Sequence, residues 1–165
     1  MEIVYIETTI VSYLVARPST DLVLSAHQEV TREWWDKIRS QYRCVSSQEV
    51  MREASLGDSG LSKMRLDALA ETVVLPISTE AEQMADLFLS THALPATMRS
   101  DAVHLAIATV VRADYLLTWN CRHLANATIL RRLEGTARKF GWKLPTVCTP
   151  MELMGEFGCE NEPFA

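Results

Sequence analysis

Residues 100–127 constrain the fold more than any other stretch of the chain. SDAVHLAIATVV (100–111) is apolar almost all round, so as a helix it has no face to offer water and must be buried. YLLTWNCRHLANA (115–127) then runs a short apolar strand, 115–118, into a polar turn holding Asn120, Arg122, His123 and Asn126. Asp101 stands at the mouth of the helix. An acid there, beside a polar turn at a strand's carboxyl end, is how an open α/β sheet assembles a ligand site.

The rest of the chain supplies the sheet and its covering helices. EIVYIE (2–7) is too short for a helix face and reads as a buried strand ending at Glu7. Thr8 and Thr9 are placed to cap a short helix, 10–16, stopped by Arg17-Pro18. Ser19, Thr20 or Asp21 opens a long helix to about Gln41, with Leu22, Ala26, Val30, Trp34 and Ile38 as its core stripe. A second strand at 43–46 leads into helix 47–56, where Ser46 and Glu49 form a capping box. Helix 61–72, strand 72–77 and helix 80–92, with a capping box at Thr79 and Glu82, carry the chain to a loop around Pro95. After the 115–127 unit come helix 128–140, stopped by Gly141, an edge strand at 145–149, and a short helix opened by Thr149-Pro150-Met151-Glu152. Strands alternating with helices imply an α/β fold, a three-layer α/β/α domain on a mostly parallel sheet of four to five strands. One domain is expected over residues 1–157, with 158–165 as a frayed tail.

Composition removes several classes of function. The longest apolar run falls well short of the ~20 residues a membrane span needs, and the N-terminus enters a strand without a basic leader, so no membrane role and a cytoplasmic location are expected. Cys44, Cys121, Cys148 and Cys159 show no zinc-ligand spacing and read as small core hydrophobes. A net charge of −5 argues against a protein that coats nucleic acid by phosphate neutralisation alone. The basic residues nevertheless crowd between Arg99 and Lys143, which leaves room for a local basic face.

Four polar groups reach the strand ends: Glu7, Glu53, Asp101 and Asn120. No lysine or arginine adjoins Glu7 in sequence, and a buried carboxylate without a partner is costly. Hard oxygen donors gathered without cations suit Mg²⁺ or Mn²⁺, which activate water and stabilise charge on a phosphodiester. Each residue also has a plainer role. Asp101 complements a helix dipole, Glu7 accepts from the amides of the next turn, and Asn120 bonds its own turn. Glu49 shares a helix face with Glu53, but its capping box with Ser46 favours Glu53 for the site. His104, on an apolar helix, reads as a satisfied core histidine rather than a ligand; His123 is open to either role.

Together and in order these segments resemble the PIN-domain nucleases, specifically the VapC-like toxins of toxin–antitoxin pairs. YIETTIVSYL (5–14) resembles the family's opening strand–acid–Thr/Ser–helix motif, and VSSQEVMREAS (45–55) its strand–Ser–helix motif, with the glutamate at Glu53. SDAVHLAIA (100–108) resembles the D-A-x-H-x-A helix, and LLTWNCRHLANA (116–127) the segment after the fourth strand. The resemblance implies a Mg²⁺- or Mn²⁺-dependent endoribonuclease, a homodimer, and a small antitoxin protein that occupies the groove. It implies Glu7, Glu53 and Asp101 as metal ligands, with Asn120 completing the shell through a water. Thr8 or Thr9 would hold a carboxylate or phosphate, and Arg122 and His123 would touch RNA. Two positions depart from the family. Glu7 stands where aspartate is usual, and Asn120 where aspartate is frequent, so the site carries three negative charges instead of four. The alternative those departures raise is a catalytically degenerate PIN-like domain that binds RNA or protein.

Overall fold

The computed structural model describes residues 1–154. The expected boundary at 157, the tail 158–165 and Cys159 lie outside the described residues. Five strands, all parallel, form one sheet in the order β3-β2-β1-β4-β5. They are β1 (Ile3–Ile6), β2 (Arg43–Ser47), β3 (Val73–Leu75), β4 (Tyr115–Leu117) and β5 (Thr146–Cys148). The helices are α1 (Thr8–Val15), α2 (Leu22–Glu33), α3 (Gln48–Ala54), α4 (Ser59–Leu69), α5 (Thr79–Ser90), α6 (Arg99–Val110) and α7 (Ala127–Lys139). From β1 the chain steps through β2 to β3, then returns across the sheet to β4 and β5. Right-handed crossovers therefore put α1–α4 on one face and α5–α7 on the other. The pairings of α1 with α2, α3 and α4, and of α5 with α6, agree with that assignment. The fold is the expected three-layer α/β/α sandwich.

The core follows from the sequence pattern. β1 is central, with Val4, Tyr5 and Ile6 fully buried, because a parallel strand covered on both faces has no wet side. α6 is buried at eight consecutive positions, Ala102 to Thr109, as a helix apolar all round requires. Trp34 is fully buried and its Nε1 donates to the Leu153 carbonyl at 3.1 Å.

Several local expectations are corrected. The long helix to Gln41 is α2 followed by a π-helical turn at Trp34–Ile38 and a 3-10 turn at Arg39–Gln41. Its i+4 stripe fails at the start: Leu22 is 86% exposed, while Gln28 and Thr31 are buried. Four residues turn a helix by about 400°, so a strict i+4 stripe drifts around the cylinder, and the π turn shifts the phase again. The caps also move. Glu7, not Thr8 or Thr9, caps α1, accepting from the Thr9 amide at 3.1 Å. Ser47 caps α3 and Ser78 caps α5, so neither proposed capping box forms. Ser46 instead bonds Thr72 at 2.8 Å inside the core. At Thr149 the amide and hydroxyl both reach Glu152, but through residue 154 they close only a turn. Cys148 is buried, whereas Cys121 is exposed and is not a core residue.

Candidate active site

The direction of chain progression reverses between β1 and β4, and the crevice beyond their carboxyl ends is where an open sheet can receive a ligand. Glu7 leaves β1 there and Thr118 leaves β4, joined by the Glu7 amide donating to the Leu117 carbonyl at 3.1 Å. Glu7 is 4% exposed. Its Oε2 accepts from the Thr9 amide, the Thr9 hydroxyl at 2.5 Å and the Thr118 hydroxyl at 2.7 Å. All its partners are neutral, so the buried charge is solvated by dipoles and not cancelled.

Glu53 arrives from α3. Its Oε2 faces His104 Nε2 at 3.0 Å and accepts from the Thr8 hydroxyl; its Oε1 accepts from Ser100 at 2.5 Å. Burial works to raise its proton affinity, but the hydrogen bond and charge of His104, with Ser100 and Thr8, outweigh it and hold the carboxyl down at about 2. Glu49, one turn earlier, is otherwise engaged. Arg52 grips both its oxygens, at 2.6 and 2.9 Å, and Ser100 donates to it at 2.6 Å. The expected preference for Glu53 survives, but on different grounds: Glu49 is occupied by a guanidinium, not by a helix cap.

His104 is 1% exposed on α6. Its Nδ1 meets the Tyr5 hydroxyl at 2.8 Å, and that hydroxyl meets Ser47 Oγ at 2.7 Å. Its burial and hydrogen bonding are those of the expected core histidine, but one edge of the ring faces the acids, so the expected exclusion from the ligand set does not follow. One ligand atom each from Glu7, Glu53 and His104 lie within 4.8 Å of one another. Asp101, in the first turn of α6, falls outside that group. Its Oδ1 accepts from Asn120 Nδ2 at 2.8 Å and its Oδ2 sits 3.2 Å from His123 Nδ1. Burial raises its proton affinity, with Glu53 adding to the effect, while His123, His104 and Asn120 oppose it.

The structure thus gathers Glu7, Thr8, Thr9, Glu53, Asp101, Asn120 and His123 around one crevice. Arg122 is exposed, in the turn beside it. His123 turns inward onto Asp101 and does not stand free on the surface. Sequence reasoning missed Ser100, Thr118, Tyr5 and Ser47. Ser100 was visible one residue before Asp101 and one helical turn before His104; the hydroxyl chain from Ser47 through Tyr5 had no local signal. Trp119 backs the crevice, its amide donating to Thr9 Oγ1 at 2.9 Å and its ring stacked on His27 at 4.0 Å.

Two carboxylates and an imidazole from three separate elements, with no guanidinium closer to Glu53 than Arg52 at 4.0 Å, are a donor set suited to a divalent cation. No helix among the described residues is long and apolar enough to cross a membrane.

No family model matches the chain, and no curated protein matches it. Among solved structures it is similar to a chain of the VapBC2 crystal structure from Rickettsia felis bound to a DNA fragment from their promoter. The TM-score is 0.51 at 12% identity, covering 89% of this chain and 98% of that one. A likeness at that identity is one of fold, and it agrees with the PIN-like architecture.

Proposed function

We propose that the chain is a metal-dependent endoribonuclease of the VapC-like type, paired with an antitoxin protein and acting in the cytoplasm. The observation that carries this reading is the meeting of Glu7 and Glu53, from distant parts of the chain, beside a buried imidazole at the topological switch of a PIN-like sheet. Buried carboxylates lacking a guanidinium are stable when a cation can join them. Glu7 and Glu53 would hold a Mg²⁺ or Mn²⁺ ion, with Asp101 and Asn120 placed beside them to position water. Such an ion supplies Lewis acidity and charge neutralisation at a phosphodiester.

The chain's own residues do the rest. Thr9 and Thr118 fix the Glu7 carboxylate, and Thr8 and Ser100 fix Glu53, so that neither has to reorganise when the substrate enters. Asn120, anchored by its amide to Thr118, holds one oxygen of Asp101 and leaves the other to His123. Arg122, exposed beside the crevice, would meet an RNA phosphate on the rim. The exposed Leu22 and Val23 at the start of α2 are apolar surface for a homodimer.

The test is cleavage of a mixed RNA pool with Mg²⁺ or Mn²⁺, with and without EDTA, for the wild type and Asp101→Asn. Metal-dependent cutting that the variant loses supports the enzyme. Absence of cutting in any metal, with RNA or protein binding retained, supports the degenerate binding module. Production of the chain alone should slow bacterial growth, and normal growth at full soluble yield counts against a toxin.

A further inference from the structure

We propose that His104 Nε2 is a direct ligand of the cation, making the centre a two-oxygen, one-nitrogen site that takes a first-row transition ion in preference to Mg²⁺. This rests on reading the crevice as a metal centre and goes further by naming its third donor and its metal class.

Three observations carry it. The first is proximity: His104, not Asp101, completes the group whose ligand atoms lie within 4.8 Å of one another. Asp101 has one oxygen on Asn120 and the other on His123, an arrangement suited to holding water from outside the first layer of ligands.

The second is the way the ring is mounted. At 1% exposure it has no solvent to turn toward, and its far nitrogen is fixed by Tyr5, itself fixed by Ser47. Histidine ligands characteristically give their second ring nitrogen to a fixed partner, which sets the tautomer and aims the first. The Tyr5 hydroxyl can accept from Nδ1–H while donating to Ser47, so that when a cation displaces the Nε2 proton shared with Glu53 at 3.0 Å, the lone pair released is directed at the acids. A histidine held only for packing does not need its inner nitrogen aimed between a buried and a half-buried carboxylate.

The third is the donor set. Mg²⁺ takes oxygen ligands and keeps several waters, and an imidazole adds little to its binding. Mn²⁺, Fe²⁺, Co²⁺ and Zn²⁺ gain from nitrogen, in rising order along the first-row series. Replacing one carboxylate by an imidazole also lowers the negative charge at the ion, which costs the hard cation more.

The experiment uses the full chain, freed of metal, with Mn²⁺ and Mg²⁺ as probes. Binding of each is measured by titration calorimetry, and the Mn²⁺ complex is examined by pulsed electron paramagnetic resonance for coupling to a ligand nitrogen. We expect Mn²⁺ to bind at least ~10-fold more tightly than Mg²⁺, with a clear nitrogen signal. His104→Gln should weaken Mn²⁺ about 100-fold and abolish the signal, and Tyr5→Phe should weaken it roughly tenfold while keeping the signal. Bound Mn²⁺ without nitrogen coupling, or coupling that persists in His104→Gln, overturns the proposal and leaves the metal-centre reading standing. The wild-type spectrum decides this even if the variants fail to fold. Absence of binding by either ion at millimolar concentration sinks the metal-centre reading itself.

Discussion

At the amino ends of the strands, Glu2, Arg112, Asp114 and Lys143 line an open cleft of about 720 Å³, with Phe140 and Trp142 on its wall. At the carboxyl ends Glu7, Glu53 and Asp101 meet, and a smaller cleft of about 310 Å³ opens beside Glu49 and Ser100. The larger opening is the one whose charges are already matched. There each acid serves the backbone or a neighbour: Asp114 accepts from the Ile3 amide at 2.7 Å and Glu2 from the Tyr115 hydroxyl at 3.2 Å. Acids and bases balance, and none is buried. At the other end Glu7 is buried and Glu53 and Asp101 are half-buried; three acids converge on two imidazoles and a set of hydroxyls, so acid exceeds base there. Charge frustration distinguishes the two ends better than volume does.

The sharpest way to break that contrast is to neutralise one acid at each end. Glu53→Gln should reduce metal-dependent RNA cleavage by more than ~100-fold, because on the proposed function it removes a direct ligand where even outer contacts are worth about 10- to 100-fold. Asp114→Asn should leave cleavage within about twofold. Equal losses in the two variants would mean that the ends are not functionally distinct. A finer cut compares neighbours on α3. Glu49→Gln should lower cleavage by roughly tenfold or less, since Arg52 already cancels Glu49 and it reaches the site only through Ser100. A larger loss than for Glu53→Gln would mean that the helix presents its other turn to the metal.

Part of this contrast was legible in the sequence. Short strands alternating with helices announced the parallel sheet, and the apolar run 100–111 announced its buried helix, because burial on all sides leaves no periodicity to misread. Glu7 and Asp101 could be named because strand ends and helix starts are where an open sheet brings its polar groups together, and Glu53, inside α3, because the motif resemblance pointed to it. What stayed hidden depended on long-range partners. Ser46 looks like a cap until Thr72, 26 residues away, claims its hydroxyl. Glu49 looked structural for the wrong reason, since its partner is Arg52 and not Ser46. His104 sits among apolar residues as a core histidine would, and only Tyr5 from the central strand reveals which nitrogen faces the acids.

The pairing of His104 with Glu53 makes the metal-free protein sensitive to pH at this end. Burial works against charge on His104, but the Glu53 hydrogen bond and the charges of Glu7, Glu53 and Glu49 raise its proton affinity above the usual 6.5. Its contribution to stability is therefore full below pH 6.5 and is lost as pH rises through the raised folded value. Glu53 moves the other way: its contribution is full above 4.5 and is lost as pH falls through about 2. In EDTA, the urea midpoint of the wild type should exceed that of Glu53→Gln by most between pH 4.5 and 6.5, narrowing on both sides. A difference that does not change with pH would show that the pair is not charged in the folded state.

The smallest effect belongs to the amino end, where Arg112 follows α6 with φ of +54°. The Ala113 amide closes back on the Ala108 carbonyl at 2.9 Å, so this is the left-handed residue of a helix C-terminal motif that usually carries glycine. A side chain there costs about 1–2 kcal/mol, and glycine returns roughly half of that through the greater freedom of its unfolded chain. Arg112→Gly should therefore stabilise the protein by up to ~1 kcal/mol in urea denaturation, with RNA cleavage unchanged. A gain in stability without a change in activity is what an end carrying no chemistry allows. Loss of cleavage would instead assign the guanidinium a role on the substrate and bring the two ends of the sheet into one functional surface.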